Sequence, residues 1–284
     1  MPSLVTLFTP WEFSPAVIVA TTGAALLYWR GIRLRRLAGL TTGVGRTLSF
    51  YVGLVLIYGV MQTYVDYLSQ HMFWVHRVQH LVLHHLAPFL LALSRPQAVI
   101  ARGLPVRLHD RLLAPAWRHP LVQWAYRLLQ NWLVAPVLFV GLIFLWLEPE
   151  VHFYAMLSGP LYQVMNWSML LDGLLFWFLM LDPRSRAEGA LIGLGPRIGL
   201  LLAAAVPQIM IGAHIALAPN DLFGVYAVCG RAWAISPLED QQLGGLVTWI
   251  PAAMMHVVGT LFVIGYWMRA DVRAAQLSAR HDAS

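Results

Sequence analysis

The chain has 284 residues, of which 59% are hydrophobic and 11% are charged, and its formal net charge is +6. Soluble domains carry about 25% charged residues, so this composition excludes an ordinary soluble globular protein and indicates that lipid solvates most of the surface. The single cysteine, Cys229, excludes both an internal disulfide and a metal site built from thiolates alone.

Seven apolar stretches, each roughly long enough to cross a bilayer, follow one another along the chain. The N-terminus has no positively charged region before the first of them, so we do not expect a cleaved signal peptide. The fifth is too long for one straight helix, and we predict a kink at Gly159-Pro160 because proline removes a helix hydrogen bond. The stretches are residues 13–29, 47–67, 72–94, 124–147, 151–181, 191–217 and 243–268.

The predicted fold class is therefore all-α: a polytopic membrane protein of about seven transmembrane helices. Residues 1–284 are expected to form a single transmembrane helical domain. The longest connection, residues 95–123, combines prolines with arginines, and we expect it to be a connecting segment on the inner side of the membrane.

The arginines predict the orientation of these helices. The first, third and fifth loops and the C-terminal tail hold 17 of the 19 arginines, and the chain has no lysine. Because basic residues collect in cytoplasmic loops, we predict that the N-terminus is outside and the C-terminus inside. This distribution also accounts for the basic charge without nucleic acid as a partner. The opposite side, where Arg231 is the exception, holds Glu12, Asp66, Glu148, Glu150, Asp221, Glu239 and Asp240.

The third stretch carries a ladder of possible metal ligands. Met72, His76, His80 and His84 recur every fourth residue, which places them on one face of a helix. At about 1.5 Å per residue, the three histidines lie progressively deeper in the outer half of the bilayer. Polar groups at such depth are costly unless they are paired or coordinated, so a ladder of three requires a cause.

Other stretches bring similar groups to similar depths. His152 and Met156 are four residues apart at the outer start of the fifth stretch. Imidazole and thioether are ligands that suit copper, and thioether favours Cu(I). Any one of these histidines is also explained by hydrogen bonding between helices. The predicted copper ligands are Met72, His76, His80, His84, Met210, His214 and His256.

A second local signal is the segment DQQLGGLVTWIP, residues 240–251. Asp240 is predicted to cap the seventh helix, because a carboxylate complements the positive N-terminal end of a helix. Gly244 and Gly245 are predicted to let a neighbouring helix approach closely.

Four segments together resemble one known family. They are HRVQHLVLHHLAPFLLALSRP (76–96), DQQLGGLVTWIP (240–251), LDGLLFW (171–177) and Asp182-Pro183-Arg184. The combination is similar to the integral-membrane CtaG family of assembly factors for caa3-type cytochrome c oxidase. The resemblance implies a multi-pass protein of the bacterial inner membrane that handles copper for the membrane-buried copper centre of a haem–copper oxidase.

The resemblance also implies roles for particular residues. His76 and His80 correspond to the paired histidines of the family's main helix, and Asp240 and Gln241 to the start of its last motif. Family members carry histidines before the Phe-Trp pair, where this chain reads LYQVMN (161–166). Met165 or His256 is expected to compensate for them.

The leading hypothesis is thus an assembly factor that binds or delivers copper. Three alternatives are a haem protein, a metal-free scaffold and a copper permease. A haem protein would use His80 or His84 with His256 or His214 as axial ligands. A scaffold would use the histidines only as interhelical hydrogen-bonding groups. A permease is disfavoured because the inner halves of the sixth and seventh stretches are too apolar.

The expected partners are an oxidase subunit, a periplasmic copper chaperone and membrane lipid, and no catalytic motif predicts an enzyme.

Overall fold

A computed structural model describes residues 9–11 and 13–282, so Glu12 lies outside the described residues. Within this part of the chain the structure is all-helical and has no β-strand, which confirms the all-α part of the predicted fold class. A π-helical segment, Leu81–Leu86, joins the fourth helix to the fifth. The α-helices are α1 (Pro15–Leu37), α2 (Val44–Gln62), α3 (Tyr64–His71), α4 (Phe73–His80), α5 (Ala87–Ser94), α6 (Gln97–Gly103), α7 (Val106–Leu108), α8 (Ala114–Arg118), α9 (Pro120–Leu129), α10 (Val134–Leu147), α11 (Pro149–Leu157), α12 (Gly159–Met180), α13 (Leu194–Leu217), α14 (Val225–Cys229) and α15 (Pro237–Asp282).

Four helices of the described chain are long and apolar enough to cross a membrane: α1, α2, α13 and residues Pro237–Arg273 of α15. Helices α9 and α10 reach this length only as a pair, and they are bent by 74° with respect to each other. The third and fifth predicted stretches are not among the four. The third is divided by the π-helical segment, and α12 carries the polar side chains of Asn166 and Asp172.

Breaks in the helices fall at residues with extended backbone. The predicted kink is confirmed: α11 ends at Leu157, Ser158 is extended, and α12 begins with Gly159 and Pro160. The predicted second span is shorter than expected, because Thr63 is also extended (φ −103°, ψ −179°) and caps α3. A third extended residue, Met72, separates α3 from α4.

The π-helical segment has an identifiable cause in the sequence. Pro88 has no backbone N–H, so the carbonyl of His84 lacks its usual partner four residues ahead. The indole Nε1–H of Trp177, on α12, donates to this carbonyl instead at 3.2 Å. The helix widens at this point, and the N–H of Ala87 bonds to the carbonyl of Val82, five residues back.

Glycines allow the last helix to pack closely on its neighbours. A side chain at Gly245 would overlap Ala216 of α13, and one at Gly244 would overlap the ring of Phe73 on α4. This confirms the predicted role of the glycine pair. Helix α15 therefore contacts both α13 and the histidine-bearing α4.

The connecting segment 95–123 consists of short helices. Its first helix, α6, packs on α1, where a side chain at Gly31 would overlap Val99 and one at Gly103 would overlap Leu27. Most of the described side chains after α6 are exposed.

Candidate metal centre

The imidazole of His76 is fully buried, and neither ring nitrogen makes a hydrogen bond of ordinary length and angle with the described residues, although the backbone of Ser69 lies close to the ring. The ring lies beside two other buried histidines: His80, with ring centroids 4.3 Å apart, and His152, with centroids 5.1 Å apart. An unpaired buried polar atom costs about 1–3 kcal/mol. An ion that bound the bare nitrogen of His76 would therefore relieve an existing cost.

The neighbouring ring of His80 is held at both nitrogens. Arg77 Nη1 donates to Nδ1 at 3.3 Å, and Nε2 faces the amide oxygen of Asn166 at 3.2 Å. Because a guanidinium only donates, Nδ1 carries the lone pair and Nε2 the proton. Arg77 also donates to Thr248 at 2.9 Å, so a second partner keeps it in place if His80 turns away.

His152 is arranged in the same way. Its Nδ1–H donates to the carbonyl of Trp146 at 2.9 Å, and its Nε2 accepts from the hydroxyl of Tyr226 at 3.0 Å. We call His76, His80 and His152 the outer layer. In this layer the lone pair of His76 accepts no hydrogen bond, whereas the lone pairs of His80 Nδ1 and His152 Nε2 each accept one.

A buried polar network lies beside the outer layer. The carboxylate of Asp66 accepts from Gln70 at 3.0 Å, from Gln79 at 2.8 Å and from the hydroxyl of Tyr162 at 2.8 Å. These bonds connect α3, α4 and α12. They fix the positions of the helices that carry His76, His80 and Asn166.

Residues of the LDGLLFW segment in α12 surround His84, which lies in the π-helical segment after α4. Asp172 accepts from His84 Nε2 at 3.1 Å, and Trp177 donates to the His84 carbonyl. Between them, a Cβ at Gly173 would lie 2.5 Å from that carbonyl oxygen, so only glycine allows α12 to come this close. The Nδ1 atom of His84 is buried and has no partner within the described part of the chain.

His85 and His256 share one partner, the side chain of Gln208 on α13. The amide nitrogen of Gln208 lies 2.8 Å from His85 Nε2, and its amide oxygen lies 2.9 Å from His256 Nε2. The Nδ1 atoms of both rings are buried and lack a partner in residues 9–11 and 13–282. We call His84, His85 and His256 the deeper layer. The centroid of the His85 ring lies 5.1 Å from that of His84 and 5.5 Å from that of His256.

A small cavity of about 10 Å³ lies between the two layers, lined by Arg77, His80, His84, His85 and Gln208 among others. This is close to the space that one water molecule needs. It is far below the roughly 300–1,000 Å³ of a pocket for an organic cofactor. Across the described residues, no three His, Cys, Asp or Glu side chains are arranged as a metal cage. The arrangement offers pairs of imidazoles within reach of one ion.

The structure does not bring three of the predicted ligands into either layer. Met72 is fully buried, but its extended backbone interrupts the ladder, and it packs with Leu68 and Val75. Met210 is 65% exposed, and His214 is also exposed and lines a surface cleft with it. The reason is helical geometry, because the face of α13 that meets its neighbours carries Gln208 and not these two residues.

The predicted capping of α15 by Asp240 was wrong, although this residue does lie in the first turn of that helix. Ser236 and Glu239 cap α15, with the Glu239 carboxylate accepting from Ser236 N at 3.0 Å and Ser236 Oγ accepting from Glu239 N at 3.2 Å. The carboxylate of Asp240 accepts instead from the backbone N–H groups of Phe73 at 3.1 Å and Trp74 at 3.0 Å. Asp240 therefore caps α4, the first helix of the histidine ladder, and it also pairs with Arg231 at 3.2 Å.

The neighbouring Gln241 holds the loop after α13. Its amide oxygen accepts from Leu222 N at 2.6 Å, and its amide nitrogen donates to the carbonyls of Ile215 and Asn220. Of the two residues expected to compensate for missing family histidines, His256 lies in the deeper layer. Met165 is buried in an apolar cluster with Phe73.

Sequence analysis missed the groups that orient the histidines. Asp172 stands in the LDGLLFW motif, and its single charge inside an apolar stretch was the available signal. Gln208 gave a similar signal as a lone amide in residues 191–217. Neither sequence position reveals which histidine it meets.

Comparisons with known proteins show the family to which the chain is similar. A family model described as cytochrome c oxidase caa3 assembly factor (Caa3_CtaG) matches residues 26–270, which include every histidine of both layers. An uncharacterised Mycobacterium leprae protein is 26% identical over 294 aligned residues, which cover 99% of this chain and 43% of that protein. An uncharacterised Mycobacterium bovis protein is 25% identical, with 99% of this chain and 42% of that protein covered. The chain thus spans less than half the length of these curated relatives, and no solved structure matches it.

Proposed function

Because this chain belongs to the cytochrome c oxidase caa3 assembly factor family, we propose that it binds Cu(I) at its buried histidines and delivers the ion to the membrane-buried copper centre of a haem–copper oxidase. The observation that carries this proposal is His76, whose two buried ring nitrogens have no partner in the described structure and which lies between His80 and His152. Imidazole suits copper. The role is one of holding and passing an ion, without catalysis.

The hydrogen bonds of the outer layer support an exchangeable site. His76 supplies a bare nitrogen, and a second ligand becomes available when an ion displaces Tyr226 from His152 or Arg77 from His80. When the ion leaves, these donors return to the same nitrogens. A site that closes and opens in this way can hold Cu(I) and still release it to a partner.

We further propose seven membrane crossings in a bacterial inner membrane, with the N-terminus outside and the C-terminus inside. Arginines from separate loops support this topology, because they line neighbouring clefts at one end of the protein: Arg46, Arg95, Arg184 and Arg269. Basic residues mark the cytoplasmic side. A bacterial membrane agrees with the mycobacterial relatives.

The proposed topology sets where partners meet the chain. The outer layer lies near the start of α4, beside the loops that we place outside. A periplasmic copper chaperone would therefore supply copper from that side. An oxidase subunit would contact the chain within the bilayer, where lipid covers the remaining surface.

Two other functions have less support. A bis-histidine haem protein needs space for a porphyrin, and the cavity between the layers measures about 10 Å³. A metal-free scaffold would leave the nitrogens of His76 without a role and at a cost in stability.

The test is copper content and an absorption spectrum of the detergent-purified chain after anaerobic loading with Cu(I). The wild type and the control His109→Ala, a change at an exposed histidine, should each retain at least one copper per chain. The His76→Ala/His80→Ala variant should retain one fewer. Wild-type protein without copper would contradict the proposal; a Soret band would then favour haem, and a featureless spectrum the scaffold.

A further inference from the structure

The deeper layer has the features of a metal site in its own right. Each of its three rings has a buried Nδ1 atom without a partner among the described residues, and each has its Nε2 atom held by an orienting side chain. Histidines that bind metals usually donate their second ring N–H to a carboxylate or another acceptor, which fixes the tautomer and the ring orientation.

Asp172 fixes the tautomer of His84. A carboxylate only accepts, so Nε2 of His84 carries the proton. In a neutral imidazole the lone pair is then on Nδ1, the atom that has no partner. The carbonyl of the same residue is held by Trp177, so both the backbone and the ring of His84 are fixed.

Gln208 fixes the tautomers of two rings at once. Its amide nitrogen only donates and its amide oxygen only accepts, so one of the facing Nε2 atoms is bare and the other carries a proton. In the orientation observed, the protonated Nε2 belongs to His256, which leaves the Nδ1 of His256 bare. If the amide turns over, the bare Nδ1 belongs to His85 instead.

The distances between the rings allow one ion to bind two of them. A metal about 2.0 Å from a ring nitrogen lies about 3 Å from the ring centre, so two rings on one ion have centres up to about 6 Å apart. His84 and His85 meet this limit, with centroids 5.1 Å apart, and both have a bare Nδ1 once the Gln208 amide turns over. His85 and His256, 5.5 Å apart, cannot both offer a bare Nδ1 while Gln208 bonds to the two rings.

The buried side chain of Arg77 separates the two layers and limits the charge of the ion. It lines the cavity that His80 and His84 also line, and no carboxylate of the described chain lies within 4 Å of it. A fixed positive charge repels a divalent ion about twice as strongly as a monovalent one at the same distance. The position of Arg77 therefore favours Cu(I) over Cu(II) or Zn²⁺ and keeps two sites distinct.

We propose that His84 and His85, oriented by Asp172 and by Gln208 with its amide oxygen turned towards His85, form a second Cu(I) site that is separate from the outer layer. The proposal rests on the proposed copper function and specifies it further: the chain holds two ions at two depths.

The experiment counts copper per chain after anaerobic Cu(I) loading and competition with a Cu(I) chelator. Wild type should bind two ions, and His76→Ala/His80→Ala and His84→Ala/His85→Ala should each bind one. Asp172→Asn keeps all ligands and should weaken one of the two sites 10–100-fold while leaving the other unchanged. X-ray absorption of the copper left in His76→Ala/His80→Ala should show nitrogen ligands only.

The outcomes separate this inference from the proposed function. The wild type could instead bind a single ion that folded Asp172→Asn and His84→Ala/His85→Ala both retain in full. That result would overturn the second site and leave the copper function standing. A folded His76→Ala/His80→Ala variant that binds no copper would also overturn it. No copper in wild type would end both proposals. Size-exclusion elution and thermal melting, with His109→Ala as the matched control, establish folding of each variant.

Discussion

The carboxylate of Asp240 accepts a hydrogen bond from the backbone N–H of Trp74, which lies 166 residues earlier in the chain, at 3.0 Å. The last helix thereby supplies the N-terminal cap of α4, the helix that carries His76 and His80. The start of the histidine ladder is thus fixed by a residue near the other end of the sequence.

Replacing this carboxylate should destabilise the protein and disturb the outer layer. Asp240→Ala removes the cap of α4 and leaves the partly buried side chain of Arg231 with Asp221 as its remaining carboxylate among the described residues, at 3.8 Å. We expect a loss of about 3 kcal/mol. Thermal melting in detergent measures it. Glu239→Ala, which removes one of the two capping side chains of α15 at an exposed position, is the control and should lower the melting temperature less. Equal losses in the two variants would contradict the assigned role.

Two histidines of the outer layer should differ in their contribution to stability. His152→Ala leaves the carbonyl of Trp146 and the hydroxyl of Tyr226 without their partner, at about 1–3 kcal/mol each. His76→Ala breaks no hydrogen bond of ordinary geometry in the described structure and should cost about 2 kcal/mol less. Both variants should lose copper from the outer layer. Melting temperatures in the reverse order would show that His76 has a structural partner.

The close approach of α12 to His84 gives a third expectation. Gly173→Ala places a methyl group 2.5 Å from the His84 carbonyl oxygen and should cost about 1–3 kcal/mol by overpacking. It should weaken copper binding in the deeper layer and spare the outer layer. Gly141→Ala is the matched control, because a methyl group there meets nothing within 4 Å. Unchanged binding in a folded Gly173→Ala would mean that the position of α12 does not matter to the site.

The topology can be tested with the chain's single native cysteine removed. In a Cys229→Ser background, one cysteine is introduced at either of two exposed positions. Asn220→Cys places it in the loop after α13, and Ala187→Cys places it in the loop after α12. A membrane-impermeant maleimide added to intact cells should label Asn220→Cys directly. Ala187→Cys should react only after the membrane is permeabilised, and the opposite pattern would reverse the proposed orientation.

Local patterns predicted much of this structure because the information is local. The hydrophobic stretches predicted the helices, and Gly159-Pro160 predicted the break between α11 and α12. The periodicity of Met210 and His214 showed that they share a face of α13. It did not show whether neighbouring helices cover that face, and the structure leaves both residues exposed.

The features that sequence analysis missed depend on distant contacts. Ser236 and Glu239 already cap α15, which leaves Asp240 available to α4, and nothing local distinguishes these two outcomes. Gln208 joins His85 to His256 across three helices. Such a contact depends on how helices are rotated about their axes, which the pattern of one stretch does not determine.

The distance between the two layers depends on how many residues the π-helical segment Leu81–Leu86 contains, as well as on which residues they are. A π turn holds more residues than an α turn, so the segment acts as an insertion in the helix. Deleting one residue there would remove the wide turn and let a regular α-helix form, and His84 and His85 would then take different positions relative to His76 and His80. Relatives that keep this arrangement should therefore tolerate substitutions between His80 and Pro88 more readily than any change in length.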